Sequence, residues 1–131
     1  MAFTFRLVPV LGGLMMLSAM ASAAQAPGLL RQLEPGAWEL RARGEPQVRR
    51  LCVANPEQLL QVEHPRSQCQ RYVLAETQRS LSVSYECGGA GSGRTDIRIE
   101  TSRLAQIRSQ GVVGGAPFAW TMEARRVGAC R

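Results

Sequence analysis

Hydrophobic and polar residues alternate along most of the chain after residue 36, with the period of two that is typical of half-buried β-strands. The clearest example is residues 81–87, in which Leu81, Val83, Tyr85 and Cys87 alternate with polar residues. Comparable runs lie at 37–43, 47–53, 70–76, 95–101, 105–113 and 118–127. The pattern predicts a mainly β fold: an antiparallel meander of about five to seven strands, forming a curled sheet or a small barrel.

One segment between the predicted strands has a different pattern. Asn55 is a suitable N-cap, Pro56 loses no needed donor at the first helical position, and Gln58 occupies the third position of a capping box. His64 precedes Pro65, and a residue before proline avoids helical backbone angles. The sequence therefore predicts a short helix over residues 56–62.

The first 24 residues have the pattern of a secretory signal peptide: Arg6, an apolar stretch over 7–17, then small residues over 18–24. Cleavage after Ala24 is favoured over cleavage after Ala23, and an uncleaved membrane anchor is the alternative. Residues 25–34 are interpreted as a lead-in segment with one helical turn, and residues 35–131 as a single domain. The chain is therefore expected to be periplasmic, with secretion as the alternative, and to have no stable membrane anchor after cleavage.

Four cysteines in an exported chain indicate two disulfides. Three pairings are possible, and we favour Cys52–Cys69 with Cys87–Cys130. The first bond would constrain the helical segment, and the second would link the last residues of the chain to a central strand. No C-x-x-C pair is present and His64 is the only histidine, so neither a metal site nor a redox site is predicted.

No motif in the sequence assigns a catalytic residue or a cofactor. A Ser-His-Asp triad would have to use His64 and Asp96, the only residues of their types. His64 is expected to be a solvated loop residue. The Gly-rich residues 88–93 and residues 114–117 are interpreted as hairpin loops, because Arg94 and a strand follow the first of them instead of a phosphate-binding helix.

The candidate binding residues are aromatic and basic. Trp38 and Trp120 lie on the apolar faces of their strands, where they either pack in the core or line a pocket for an apolar small molecule. All 16 basic residues are arginine and the net charge is +6. Either coding bias accounts for this excess of arginine, or the arginines bind an anionic envelope component. Nucleic acid is disfavoured. Two exposed clusters are expected: Arg41, Arg43, Arg49 and Arg50, and Arg98, Arg103 and Arg108.

Several short motifs, in order, resemble a family of small exported Gram-negative proteins that is catalogued as a domain of unknown function. They are the P-G-x-W-E opening at 35–39, Cys52 followed by 55–58, Cys69, the Tyr85-Glu86-Cys87 run and the R-x-G-x-C end at 126–130. The resemblance implies a periplasmic, β-rich domain with no established activity, and it supplies no catalytic residue.

Two functional hypotheses follow from the sequence. The first is a non-catalytic binding or envelope-associated module. The alternative is a protein-interaction or inhibitor domain that acts on an envelope enzyme.

Overall fold

In the computed structural model of the protein, residues 27–131 are described, so the predicted signal peptide lies outside the described residues. These residues form one sheet of seven antiparallel strands, which confirms the mainly β prediction. The strands are β1 (Gly36–Ala42), β2 (Val48–Val53), β3 (Gln70–Glu76), β4 (Ser80–Glu86), β5 (Gly91–Thr101), β6 (Leu104–Val113) and β7 (Ala116–Gly128).

The strands follow the order β2-β1-β7-β6-β5-β4-β3 across the sheet. Strands β3 to β7 form a meander, and β7 then returns beside β1, which itself forms a hairpin with β2. Because β2 and β3 are the two edges and do not pair with each other, the described residues form an open sheet and not a closed barrel. The segment that joins them, residues 54–69, packs over one face.

The helical segments are short and of the 3-10 type: Gly28–Gln32, Pro56–Leu60 and Gly88–Ala90. The predicted helix at 56–62 is therefore present but ends at Leu60. Its cap is the predicted one, since Asn55 Oδ1 accepts the Glu57 N–H at 3.1 Å and Gln58 Oε1 accepts the Asn55 N–H at 2.9 Å. The first two helices contact each other, and the second contacts β2 and β5.

We call the sheet face under these helices the inner face and the opposite face the outer face. Residues that oppose each other across antiparallel strands share a face, so the register assigns Leu40, Ala124 and Ala105 to the inner face. The predicted apolar positions of β1, β4, β5 and β6 are buried there, those of β7 are partly buried, and those of β3 are exposed. The core is completed by the 3-10 helices, with Leu29, Leu30, Leu33, Leu59 and Leu60.

The favoured disulfide pairing is wrong: the bonds are Cys52–Cys130 and Cys69–Cys87. Gln70 pairs with Glu86 in the β3–β4 hairpin, so Cys69 and Cys87 are the next opposed residues, with Cα atoms 4.2 Å apart.

The Cys52–Cys130 bond follows from the position of β7 beside β1. Ala37 pairs with both Cys52 and Gly128, which brings the chain end close to β2. Two disulfides indicate an oxidising, exported environment.

The predicted hairpin loop at 88–93 is present but shorter than predicted. The antiparallel strands β4 and β5 are joined by residues 87–90, which include the 3-10 turn Gly88–Ala90, and β5 already begins at Gly91. In the same way, β7 begins at Ala116, so only Gly114 and Gly115 form the predicted loop at 114–117. Gly91 and Gly93 therefore belong to β5.

Candidate functional site

The two tryptophans that the sequence selects both belong to the inner face. Trp38 is only 1% exposed, and its indole N–H donates to the Glu34 carbonyl at 3.0 Å. Trp120 is half-buried against the core, and its N–H donates to Glu63 Oε1 at 2.9 Å. Both rings therefore pack in or against the core, and both indole nitrogens have partners inside the fold.

The tryptophans do not line a common pocket. A groove of about 690 Å³ lies beside the Cys52–Cys130 bond, and Trp38 lines it together with Leu51 and Val127, whereas Trp120 does not. Since so little of Trp38 is exposed, the groove contacts only a small part of this residue.

Glu63 connects Trp120 to Arg49 at the inner face. Arg49 Nη1 lies 2.6 Å from Glu63 Oε1, and the register places Arg49 opposite Leu40. The hydrogen bond from Arg49 is the main cause that lowers the pKa of Glu63, and partial burial opposes it. Arg49 is thus held inside this ion pair, apart from the other three members of its predicted cluster.

His64 is a buried residue, and the expectation that it is a solvated loop residue is wrong. It is 2% exposed. Its Nε2 lies 3.1 Å from the Ala90 carbonyl and 3.0 Å from the Val112 carbonyl, so this nitrogen is the donor. Nδ1 then accepts the Tyr85 hydroxyl at 3.2 Å. Burial raises the pKa of Tyr85. His64 therefore ties residues 61–67 to the ends of β4 and β6.

Two buried hydroxyls lie near this histidine. Thr95 Oγ1 donates to the Leu60 carbonyl at 2.7 Å and lies 2.8 Å from Ser109 Oγ. Asp96, the other residue that a triad would need, points to the outer face, where Ser82 and Arg94 contact it. The sheet therefore separates His64 from Asp96, and the two cannot form a triad.

Three glycines allow the tight packing around His64 and Tyr85. A Cβ at Gly93 would lie 2.4 Å from the Tyr85 hydroxyl, and one at Gly111 would lie 2.1 Å from the Ser92 carbonyl. Gly91 has a φ of +119°, and its Cβ would lie 1.9 Å from the Val112 carbonyl. The ends of β5 and β6 can approach only because these side chains are missing.

We therefore expect Gly111→Ala to lower the free energy of unfolding by about 2 to 3 kcal/mol, since the Cβ meets backbone that cannot move away. Gly89→Ala is the matched control, because nothing lies within 4 Å of a Cβ there. Urea unfolding of both variants tests the expectation. Equal stability of the two would contradict the close approach of β5 and β6.

The outer face carries no covering segment within the described residues and displays arginines from five strands or their ends. Arg41 and Arg50 lie on it, and Arg43 follows β1 on the same side. The pKa of Glu123 is lowered chiefly by its hydrogen bond with Arg125, then by Gln106, and further by the charge of Arg43. We call the set the outer arginine face: Arg41, Arg43, Arg50, Arg94, Arg98, Arg108 and Arg125.

Four of these arginines have acidic partners on the same face. The pairs are Arg50 with Glu39, Arg94 with Asp96, Arg98 with Glu100, and Arg125 with Glu123, at 3.0 to 3.4 Å. The other three, Arg41, Arg43 and Arg108, form no ion pair with any residue of the described range 27–131. Arg103, which the sequence grouped with Arg98 and Arg108, is instead paired with Glu34.

A groove of about 270 Å³ crosses this face near Arg108. Its lining residues include Arg98, Arg108 and the acidic residue Asp96. Arg108 is opposed by Asp96 on β5 and by Thr121 on β7. The groove therefore places two arginines beside one carboxylate, among apolar residues.

No family model, no curated protein and no solved structure matches the chain. The resemblance to the exported family therefore stays a prediction. Within residues 27–131, no helix is long and apolar enough to cross a membrane. The same residues contain no group of three or more His, Cys, Asp or Glu side chains that could hold a metal ion.

Proposed function

We propose that this protein is an exported, non-catalytic binding module of the cell envelope that holds anionic groups on the outer arginine face. The observation that carries the proposal is the set Arg41, Arg43 and Arg108. These side chains lie on the uncovered face of the sheet and have no ion-pair partner in the described part of the chain. The predicted signal peptide and the two disulfides support a periplasmic location.

The packing of the inner face also favours the outer face as the binding surface. Segment 54–69 and the 3-10 helices cover it, and within residues 27–131 every buried side-chain nitrogen or oxygen has a hydrogen-bond partner. A ligand there would have to displace packed core residues. The outer arginine face needs no rearrangement, and guanidinium groups bind phosphate or carboxylate through paired hydrogen bonds.

The shared chemistry of the ligand is an anionic phosphate group, either on a lipid headgroup or free in solution. The purified, oxidised protein should sediment with phosphatidylcholine vesicles that contain phosphatidylglycerol and stay in solution with phosphatidylcholine alone. Binding should weaken as the salt concentration rises, because the contacts are exposed. If inorganic phosphate at low concentration displaces the protein from the vesicles while ionic strength is held constant, free phosphate is the source.

The variant Arg41→Gln/Arg43→Gln/Arg108→Gln should bind the anionic vesicles about tenfold more weakly or worse, since each arginine near the surface contributes about 1 kcal/mol. The variant Arg31→Gln/Arg66→Gln/Arg79→Gln is the matched control. It loses the same charge from residues outside the outer arginine face, which also form no ion pair within the described range. Equal losses in both variants, or no binding by the unmodified protein, would refute the proposal.

One observation favours the second candidate function, a protein-interaction or inhibitor domain. Strand β3 is an open edge of the sheet and exposes apolar side chains. This surface is separate from the outer arginine face.

A further inference from the structure

Strand β3 is the most exposed strand of the sheet. All seven of its residues are exposed, although alternation in the sequence predicts a half-buried strand. Tyr72, Val73 and Leu74 are consecutive, and each is about half exposed, at 52%, 51% and 52%. Tyr72 pairs with Ser84 and Val73 with Val83, so the first lies on the outer face and the second on the inner face. Apolar side chains are therefore exposed on both faces of this edge, and exposed apolar surface of this kind marks interaction surfaces.

The backbone of β3 is also open on one side. Among residues 27–131 it pairs with β4 alone, so one row of N–H and C=O groups is free to pair. The strand is held in place at its start by the Cys69–Cys87 bond and at its end by the Thr77 turn, where Thr77 Oγ1 accepts the Ser80 N–H. A strand fixed at both ends loses little conformational freedom when another strand is added.

Charges flank this edge. Arg66 precedes β3 and Arg79 lies in the turn that follows it, and neither forms an ion pair within residues 27–131. Arg71, by contrast, is already held by Glu57 and by the Gln61 side-chain oxygen at 2.9 Å. The edge therefore combines an apolar centre with an unneutralised arginine beyond each end.

We propose that β3 receives an extended segment of a protein partner by strand addition, and that this segment has an apolar centre and acidic flanks. Main-chain hydrogen bonds to the free edge would supply affinity. Contacts with Tyr72, Val73 and Leu74 and the two flanking arginines would supply specificity. The proposal is independent of the outer arginine face.

A β-bulge in β3 argues against a second copy of the chain as the occupant. The register shifts between Val73 and Ala75, which leaves Leu74 unpaired near the middle of the strand. Two copies of β3 that pair antiparallel along their full length would bring both bulges together at the centre and disrupt the ladder. A different, shorter segment can pair with the regular part, Gln70–Val73.

The test uses a short synthetic peptide with alternating Val and Thr in the centre and Glu at both ends. Its control is the same peptide with alternate backbone nitrogens methylated, which removes edge hydrogen bonds and keeps the side chains. Titration into the oxidised protein, followed by NMR and amide hydrogen exchange, should shift and protect β3 amides. The methylated peptide should bind at least about tenfold more weakly, since several main-chain bonds are lost.

Variants locate the contact. Tyr72→Thr/Leu74→Thr keeps strand-forming residues and should weaken peptide binding about tenfold. Val112→Thr/Val127→Thr should leave it unchanged, since these exposed valines lie on other strands. Arg66→Glu/Arg79→Glu should prefer a peptide with Lys in place of Glu.

Three results would overturn the proposal. The first is equal binding of the two peptides, and the second is protection confined to amides outside β3. The third is a dimer in sedimentation analysis that the Tyr72/Leu74 substitutions abolish, because a second copy would then be the occupant of the edge.

Discussion

Removal of the Cys52–Cys130 bond, by the double substitution Cys52→Ser/Cys130→Ser, is expected to lower the free energy of unfolding by about 4 kcal/mol. The bond closes a loop of 78 residues, and the chain-entropy cost that it removes from the unfolded state grows with loop length. The melting temperature should fall by more than about 10 °C in a domain of this size.

The Cys69→Ser/Cys87→Ser variant is the internal comparison. Its bond spans 18 residues and should contribute about 3 kcal/mol by the same relation. Urea unfolding of both variants under oxidising conditions measures the ranking. A larger loss for Cys69→Ser/Cys87→Ser, or a peptide map of the oxidised protein that joins Cys52 to Cys69, would contradict this connectivity.

Replacement of His64 by alanine is expected to cost about 3 to 5 kcal/mol. The substitution leaves a cavity and removes the partner of the Tyr85 hydroxyl and of the Ala90 and Val112 carbonyls. Buried polar groups without partners carry the full cost of their lost hydration. Equilibrium urea unfolding at about neutral pH measures the loss.

Arg66→Ala serves as the control for this substitution, because Arg66 is exposed two residues further along the same loop. Its effect should stay within about 0.5 kcal/mol. If His64→Ala lost no more than this control, the histidine would not be the link between the loop and the sheet.

The fold class could be predicted because apolar residues that repeat every two positions in a strand are the ones that face the core. Leu81, Val83 and Tyr85 are buried on one face, as their alternation with serines implies. The same rule fails for β3, because it assumes that every strand with alternating apolar residues packs one face against a core. Strand β3 is at the edge of the sheet, where segment 54–69 holds Arg71 but leaves the apolar side chains of the strand exposed.

Contacts between residues that are far apart in the sequence could not be predicted from the alternation of apolar and polar residues. Pairing of β1 with β7 joins segments about ninety residues apart in sequence, and only that pairing brings Cys130 to Cys52. The burial of His64 could not be predicted for a related reason, because its partners Tyr85, Ala90 and Val112 lie far along the chain. The Cys69–Cys87 bond is easier to predict from the sequence, because both cysteines are nine residues from Gln78, the centre of their hairpin.

The two disulfides are nested, with the bond Cys69–Cys87 lying inside the loop that Cys52–Cys130 closes. When a chain enters an oxidising compartment with its N-terminus first, Cys52 and Cys69 are the first two thiols to meet there. Oxidation in that order would trap the wrong pair, because Cys130 is the last of the four cysteines to enter. Correct maturation therefore requires either that Cys52 stays reduced until Cys130 has entered the compartment or that an early bond is reshuffled by thiol–disulfide exchange.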